Sequence, residues 1–266
     1  GVRLVRGSHI VVPKLYEHDK CYFFQGTDGR IIFAIPFESD FTLIGTTDVE
    51  HSEASETPLC TPQEQEYLCA FASQYFKSAV TRDQIVWTYS GVRPLYNDGA
   101  ENPSALTRDY TLTLDENGAP LLNIFGGKIT TYRRLAQSAL AKIGTQFDDL
   151  DGDWTAGVAL PGGDFPVDGV DSLIKDLMRD YPFLDARWAK RLVRAYGTQA
   201  RDILGRASSA AELGEDFGAS LSEAELAWLK QREFARTVED VVWRRSKLGL
   251  RLSADQLARI DTYMRA

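Results

Sequence analysis

The chain has 266 residues, of which 44% are hydrophobic and 26% charged, and its formal net charge is −8. This composition is ordinary for a globular protein, and the length suits one large domain or two of usual size. The acidic excess excludes a general nucleic-acid-binding protein, because phosphate backbones are held by an excess of Lys and Arg. The longest apolar runs are far shorter than the roughly 18 residues that a membrane-spanning helix requires.

The first half of the chain is predicted to be mainly β-structure. Residues 21–25 and 31–37 are β-rich runs around an Asp-Gly turn, which is a strong hairpin signal. Residues 41–45 add a strand, and residues 110–114 and 121–125 predict a second hairpin.

One helix is predicted between these hairpins. Thr61 is suited to cap it, Pro62 to occupy its first position, and Glu64 to complete a capping box. Apolar residues at helical spacing extend this helix to about residue 78.

A strand, a glycine turn and a helix are predicted over residues 121–140, with Gly126, Gly127 and Lys128 at the turn. The two glycines allow backbone N–H groups to approach a ligand, and the free amides of the following helix favour an anion or an electron-rich group. The same pattern is typical of an ordinary turn with an exposed lysine. The residues alone leave both interpretations open.

The remainder of the chain is predicted to be helical. Residues 148–168 are rich in Asp, Pro and Gly without periodicity, which indicates a linker. Apolar spacing then predicts helices over 171–181, 186–196, 222–248 and 253–264, and Ser222 with Glu225 and Ser253 with Gln256 form capping boxes. The predicted fold class is α+β: a mainly antiparallel β-sheet domain over 1–147, a linker over 148–168 and an all-α domain over 169–266.

Two further groups of residues have ordinary interpretations. The basic cluster at 244–247 is suited to anionic lipid or an acidic partner, but we favour a helix end, with Gly249 as its left-handed cap. The three cysteines, Cys21, Cys60 and Cys69, lack metal-ligand spacing. We expect reduced thiols of a cytoplasmic protein and no metal site.

Five blocks carry a resemblance to a known family: residues 7–13, 44–48, 89–95, 126–133 and 243–250. Together, and in this order, they resemble FAD-dependent (aerobic) glycerol-3-phosphate dehydrogenase over nearly the whole chain. That family also has a G-x-G-x-x-G turn that holds the FAD pyrophosphate, and this sequence contains no such pattern. The chain therefore resembles the carboxy-terminal portion of a longer enzyme, and we expect that it neither retains FAD nor is active by itself.

The resemblance implies oxidation of sn-glycerol 3-phosphate to dihydroxyacetone phosphate. FAD would be reduced, and its electrons would pass to quinone at the inner face of the cytoplasmic membrane, where the enzyme would be peripherally bound. Whether quinone or oxygen is the acceptor stays open, as does a homodimeric state.

Arginine is the residue best suited to clamp the substrate phosphate, because its planar fork meets phosphate oxygens in pairs. Arg93 lies between a glycine and a proline in an extended segment, and Arg108 precedes a strand. The resemblance places both in the substrate pocket. Without it, surface arginines in weak ion pairs are the better interpretation, with Asp109 as the partner of Arg108.

His9 matches the family position of the catalytic base, and an ordinary histidine pKa near 6.5 suits proton removal. By itself a hydrogen-bonded structural histidine is the commoner case. His18 and His51 match nothing catalytic, and we expect both to be solvated.

The resemblance places Lys128 beside the flavin and the substrate, where a fixed charge stabilises the reduced, anionic ring. Gly126 and Gly127 would supply backbone amides, and Thr130 a hydroxyl to the pyrimidine edge. Thr46, Thr47 and Asp48 also match a family block, but a turn and a pocket role remain equally open for them.

Two other functions are considered. A related FAD amine or amino-acid oxidase also grips an anion with arginine, but the paired arginines and the helical extension favour a phosphorylated substrate. A non-catalytic helical interaction module is the second alternative, but it does not explain why residues 126–133 match a family block.

Overall fold

The structure is a computed structural model that describes residues 2–27, 29–96, 109–147 and 152–265. Arg108 therefore lies outside the described residues. The chain divides into two compact units, Gly1–Ala156 and Gly157–Ala266. The bounds 148–168 for a linker remain a prediction.

The first unit is built on a six-stranded sheet in the order β2-β3-β4-β1-β5, with β6 also paired to β1. Every strand pair in this sheet is antiparallel. The strands are β1 (Val2–Pro13), β2 (Tyr22–Gln25), β3 (Ile31–Phe37), β4 (Phe41–Gly45), β5 (Val49–Glu50) and β6 (Trp87–Tyr96). The predicted β2–β3 hairpin and β4 are confirmed.

Helix α1 (Pro62–Ser73) covers one face of this sheet, and its predicted capping box is confirmed. Its buried side chains pack on a core from the strands: Ile10, Val12, Ile32, Ala34 and Ile44. The helix ends earlier than predicted, because the Ser73 hydroxyl accepts a hydrogen bond from Val80 N at 2.8 Å and turns the chain.

A two-stranded sheet of β7 (Thr111–Asp115) and β8 (Leu121–Phe125) confirms the second predicted hairpin. The chain then passes through the glycine turn and a 3₁₀ turn at Ile129–Thr131 into α2 (Tyr132–Ile143). The predicted strand, glycine turn and helix are therefore present.

The second unit is helical, as predicted. Its α-helices are α3 (Val170–Asp180), α4 (Ala186–Tyr196), α5 (Ala200–Leu204), α6 (Glu223–Arg232) and α7 (Ala254–Arg265). They enclose an apolar core whose fully buried members include Leu177, Leu192, Phe217, Leu226, Leu229 and Ile260. The Ser253–Gln256 box is formed, with backbone-to-side-chain bonds of 2.9 and 3.3 Å.

The prediction of one continuous helix over 222–248 is wrong. Helix α6 ends at Arg232, and Phe234, inside the predicted range, is 74% exposed with a φ of 57°. The Asp240 carboxylate accepts hydrogen bonds from the backbone N–H groups of Arg236 and Thr237, at 2.9 and 3.0 Å. This local cap starts a separate π-helical segment, Asp240–Arg245, so the periodic apolar pattern spans two elements.

The basic cluster lies at the end of that segment, but Gly249 is not its left-handed cap. Gly249 lies in a 3₁₀ turn, Leu248–Leu250, without a positive φ. A Cβ there would lie 2.4 Å from the Trp243 ring, so glycine is required by packing. Arg244 pairs with Asp240 at 2.9 Å, and Arg245 Nε donates to the Glu233 carbonyl at 2.8 Å. Both contacts fit the helix-end interpretation.

Within the described ranges, no helix combines the length and apolar character needed to cross a membrane. Cys21, Cys60 and Cys69 are free thiols.

Candidate functional site

One face of the six-stranded sheet carries polar and aromatic side chains, while the other packs on α1. Successive side chains of a strand point to opposite faces. His9 therefore shares a face with its cross-strand partner Tyr89, and Gly7 shares it with its partner Gly91. Ser8 points to the α1 side and is fully buried. The pairing of β1 with β6 thus creates the candidate site.

His9 is held in a fitted slot on this face. Its ring stacks on the Tyr89 ring with centroids 4.8 Å apart and planes 3° from parallel. On the other side, a Cβ at Gly45 would lie 2.1 Å from His9 Cδ2, so the imidazole occupies the space that glycine leaves open. The Nδ1 atom of His9 is buried and has no hydrogen-bond partner among the described residues.

The pKa of His9 is lower than the ordinary histidine value that the sequence analysis assumes. Burial and, second, the charge of Arg93 lower the pKa of His9 from 6.5 to about 4. The imidazole is therefore neutral at physiological pH, and one ring nitrogen is free to accept a proton.

Arg93 lies on the same face, with its guanidinium over Gly7. A Cβ at Gly7 would lie 2.6 Å from Arg93 Nη2, so the glycine leaves the space for the guanidinium. Arg93 Nη1 donates to Asp48 Oδ1 at 2.7 Å, and Nη2 donates to Thr46 Oγ1 at 3.3 Å. The segment 46–48, whose role the sequence left open, connects β4 to β5 and supplies the hydrogen-bond partners of Arg93.

An aromatic row crosses the same face. Cross-strand pairing places Phe23 beside Phe33, Phe33 beside Gly45, and Gly45 beside His9. Phe23 and Phe33 are 59% and 37% exposed. The row offers a partly exposed apolar surface that a planar or apolar group can contact.

The glycine turn forms a second part of the candidate site. Gly126 and Gly127 have φ values of 71° and 105°, in the region that favours glycine, and a Cβ at Gly126 would lie 2.9 Å from the Asp109 carbonyl oxygen. Lys128 and Thr130 follow in the exposed part of the turn. The turn presents backbone and one cation to the surface, an arrangement that suits an electron-rich ligand edge.

The structure thus brings together His9 and Arg93 but not all the predicted site residues. The described hydrogen bonds of Lys128 join its backbone to Thr131, and none reaches His9 or Arg93. Sequence analysis missed Tyr89 and Gly45 as the walls of the His9 slot. Both residues lie in blocks that resemble the family, Tyr89 in 89–95 and Gly45 in 44–48, and this position could have identified them.

The other two histidines lie apart from this group. His18 is exposed, as expected, and its Nε2 lies 2.9 Å from Tyr22 Oη. His51, expected to be solvated, is only 8% exposed, with its Nε2 atom 3.2 Å from the Glu56 carbonyl oxygen. The fold of residues 51–56 over the ring explains the difference.

Comparison with known proteins matches both parts of the chain to family models. Residues 1–133 match FAD dependent oxidoreductase, and residues 154–264 match the C-terminal domain of alpha-glycerophosphate oxidase. The first match contains all the described candidate site residues.

Two relatives and one solved structure are similar over nearly the whole chain. Aerobic glycerol-3-phosphate dehydrogenase of Escherichia coli is 45% identical over 99% of this chain and 53% of its own length. D-erythritol 1-phosphate dehydrogenase of Brucella abortus is 41% identical over 97% of this chain and 52% of its own length. The crystal structure of glycerol-3-phosphate dehydrogenase from Bacillus halodurans, complexed with FAD, has a TM-score of 0.74 at 22% identity, covering 99% of this chain and 56% of that one. The chain therefore spans about half the length of these relatives, and the last comparison supports the fold alone.

Proposed function

Because this chain belongs to the FAD-dependent oxidoreductase family, we propose that it supplies the substrate-binding sheet of an enzyme that oxidises sn-glycerol 3-phosphate to dihydroxyacetone phosphate. The observation that carries the proposal is the placement of Arg93 and His9 on one sheet face. A cation for the phosphate and a neutral imidazole for the hydroxyl proton are what this substrate needs from the protein.

Arg93 binds the phosphate in this proposal. The guanidinium has five N–H donors, and its described hydrogen bonds to Asp48 and Thr46 use two of them. The remaining donors are available to an oxyanion, while Asp48 keeps the guanidinium plane fixed. Arg108 is the second proposed phosphate ligand by resemblance alone, since it lies outside the described residues.

His9 accepts the proton of the substrate hydroxyl. Its lowered pKa makes it a weaker base than an ordinary histidine, but part of that lowering comes from Arg93. A phosphate bound to Arg93 offsets this positive charge and raises the pKa of His9 toward its ordinary value. Substrate binding therefore strengthens the base that the reaction needs.

The residues of the glycine turn fit the family's cofactor. Gly126 and Gly127 keep the backbone open, and Lys128 adds an exposed positive charge, as an electron-rich ring edge requires. Bound FAD would supply the acceptor for the hydride from the carbinol carbon. Gly126, Gly127, Lys128 and Thr130 are proposed to hold it, with Lys128 also facing the substrate.

The proposal includes the partners that the resemblance implies. Quinone is the proposed electron acceptor, the inner face of the cytoplasmic membrane the proposed location of the peripherally bound enzyme, and a homodimer the proposed assembly. None of these three proposals depends on the roles assigned to His9 and Arg93. Oxygen is the alternative electron acceptor.

The relatives suggest one specific alternative substrate. The Brucella abortus relative is named for a phosphorylated four-carbon polyol, and a phosphate clamp serves that substrate equally well. Comparing kcat/KM for glycerol 3-phosphate and D-erythritol 1-phosphate in the full-length enzyme decides between them. The same assay with an amino acid tests the amine-oxidase alternative.

The main test is Arg93→Lys in the full-length enzyme, with Arg82→Lys as the control. Lysine keeps the charge but loses the paired geometry, so we expect KM for glycerol 3-phosphate to rise about tenfold or more. Arg82 is exposed and lies outside the site, so its variant retains the wild-type KM. A wild-type KM in Arg93→Lys would place the phosphate clamp elsewhere.

A further inference from the structure

The buried carboxylate of Glu64 lies behind the sheet and faces the strands that carry the candidate site. Glu64 belongs to α1 and is 5% exposed. Its Oε2 atom accepts hydrogen bonds from Thr61 N at 2.9 Å, Thr61 Oγ1 at 3.0 Å and Arg6 Nη2 at 3.1 Å. The bonds from Thr61 close the helix cap.

The other oxygen of Glu64 takes no part in capping. Its Oε1 atom accepts from Thr47 Oγ1 at 2.7 Å and from Ser8 Oγ at 2.8 Å. Thr47 and Ser8 are 3% and 0% exposed. A capping box requires only the bonds to the helix start, so the Oε1 contacts must be explained otherwise.

Thr47 connects Glu64 to the residues that hold Arg93. Thr47 stands between Thr46 and Asp48, the hydrogen-bond partners of the Arg93 guanidinium. Its hydroxyl donates to Glu64 and accepts from Ser8 N at 2.9 Å. The segment 46–48 is thereby fixed to both α1 and β1.

Ser8 connects Glu64 to His9 and its stacking partner. Ser8 directly precedes His9, and its Oγ lies 2.8 Å from Ser90 Oγ, beside Tyr89. Since the Ser8 proton goes to Glu64, the Ser90 hydroxyl is the donor in that pair. One carboxylate oxygen therefore anchors two segments of the chain: the segment 46–48, which holds Arg93, and the part of β1 that carries His9.

Glu64 remains ionised in this environment. Burial alone raises the pKa of a carboxyl group, but hydrogen bonds from Thr61, Thr47 and Ser8 outweigh burial and lower the pKa of Glu64. Charge-assisted hydrogen bonds are stronger and more directional than neutral ones, so an ionised Glu64 restrains its partners tightly.

We propose that Glu64 is a positioning residue, which sets Arg93 through Thr47 and the His9–Tyr89 pair through Ser8 from the opposite side of the sheet. This inference rests on the proposed function of Arg93 and His9 as phosphate ligand and proton acceptor. Supporting groups that lock active-site side chains in place affect turnover without touching substrate.

The decisive comparison is Thr47→Val against Thr61→Val in the full-length enzyme. Each replacement removes one hydroxyl that hydrogen-bonds to Glu64 and preserves side-chain shape, but only Thr47 lies in the segment that holds Arg93. We expect Thr47→Val to raise KM for glycerol 3-phosphate about tenfold, because a shift of the order of 1 Å at a clamp costs up to about a hundredfold. Thr61→Val lowers the melting temperature through the cap and keeps KM within about twofold.

A second pair tests the carboxylate itself. Glu64→Gln keeps the size of the side chain but leaves one oxygen to accept hydrogen bonds from both the cap donors and the pair Thr47 and Ser8. Glu66→Gln is the control, because it changes the charge of α1 equally at an exposed position. We expect Glu64→Gln to raise KM as Thr47→Val does, and Glu66→Gln to behave as wild type.

Nuclear magnetic resonance on the full-length enzyme, with selective labelling of arginine and histidine, gives a readout independent of activity. Thr47→Val and Glu64→Gln should shift the Arg93 Nε–Hε and His9 ring signals, whereas Thr61→Val and Glu66→Gln should leave them in place. Unmoved signals in Thr47→Val and Glu64→Gln would overturn the positioning role. Shifted signals together with a wild-type KM in Arg93→Lys would uphold positioning and reject Arg93 as the phosphate clamp.

Discussion

Two helix starts, one in each unit, have a Ser or Thr hydroxyl followed three residues later by a buried glutamate, and the two glutamates have different partners. Thr61 precedes α1 and Ser222 precedes α6, and each hydroxyl accepts a hydrogen bond from the backbone N–H of the glutamate three residues later, at 3.3 Å. Glu64 and Glu225 are both buried, at 5% and 1% exposure. The Glu64 carboxylate returns to Thr61 N, whereas the described bonds of Glu225 go to Arg191 and Tyr196. The predicted Ser222–Glu225 capping box is therefore only half formed.

The destinations of the two carboxylates explain the difference. Arg191 meets Glu225 with two parallel hydrogen bonds of 2.6 Å, and Tyr196 Oη donates to Glu225 Oε1 at 2.7 Å. Burial, and then Glu225, raise the pKa of Tyr196, so that its hydroxyl remains a donor. Glu225 joins α6 to α4 inside an apolar core, while Glu64 joins α1 to strands that carry site residues. Glu225 thus stabilises the second unit, whereas Glu64, in our proposal, also holds the site residues of the first unit in position.

The largest expected effect concerns the site that Glu64 supports. In the full-length enzyme, His9→Gln should lower the rate of flavin reduction by about 10²–10⁴-fold, because a proton acceptor acts in the transition state. Stopped-flow absorbance measures this rate, and the acid limb of its pH profile should disappear in the variant. Fast flavin reduction accompanied only by a lower melting temperature would make His9 a structural residue.

Removing the Glu225 carboxylate should lower the stability of the second unit. Glu225→Ala leaves Arg191 without the carboxylate that it meets with two hydrogen bonds, and the free energy of unfolding of the second unit should fall by about 3–5 kcal/mol. Denaturant unfolding measures the loss. Replacing both Arg191 and Glu225 with Leu should recover much of it, because no charge then stays buried. A double variant as unstable as Glu225→Ala would contradict this account.

Two glycines on the sheet provide a smaller test of the His9 slot. Gly45→Ala places a Cβ 2.1 Å from the His9 ring, and we expect a loss of about 1–3 kcal/mol in stability together with a displaced imidazole. Gly91→Ala is the control, since a Cβ there meets no atom within 4 Å in the part of the chain that the structure describes. Thermal unfolding and the His9 ring signals report both effects. Equal behaviour of the two variants would mean that the slot is not tightly fitted.

The smallest expected effect is a pH dependence of stability. The pKa of His9 is about 4 in the folded chain and near 6.5 when unfolded, so the unfolded state binds the proton first as pH falls. His9 therefore stabilises the fold above pH 6.5, and this contribution is lost as pH falls from about 6.5 to about 4. The free energy of unfolding should differ less between pH 7 and pH 5 in His9→Gln than in the wild type. An equal difference in the two proteins would contradict the lowered pKa of His9.

The sequence by itself determined the local elements of this protein. The β2–β3 and β7–β8 hairpins, the start of α1 and the glycine turn before α2 were all predicted, because each depends on residues within a few positions of one another. The resemblance in five blocks also identified the family, which the match over residues 1–133 confirms. The assignments of His9, Arg93, Arg108, Lys128 and the turn residues stay predictions.

Only the tertiary structure decided which of these residues meet. Ser8 and Ser90 are 82 positions apart, and no local pattern states that β1 pairs with β6 in the register that stacks His9 on Tyr89. The break at Phe234 was likewise hidden, since an apolar period continues across two elements when both bury their stripes in one core. The destinations of Glu64 and Glu225 depend on which donors the fold brings near each carboxylate. Long-range packing chooses among the partners that a local motif permits, and here it directs one carboxylate toward the candidate site and the other into a helical core.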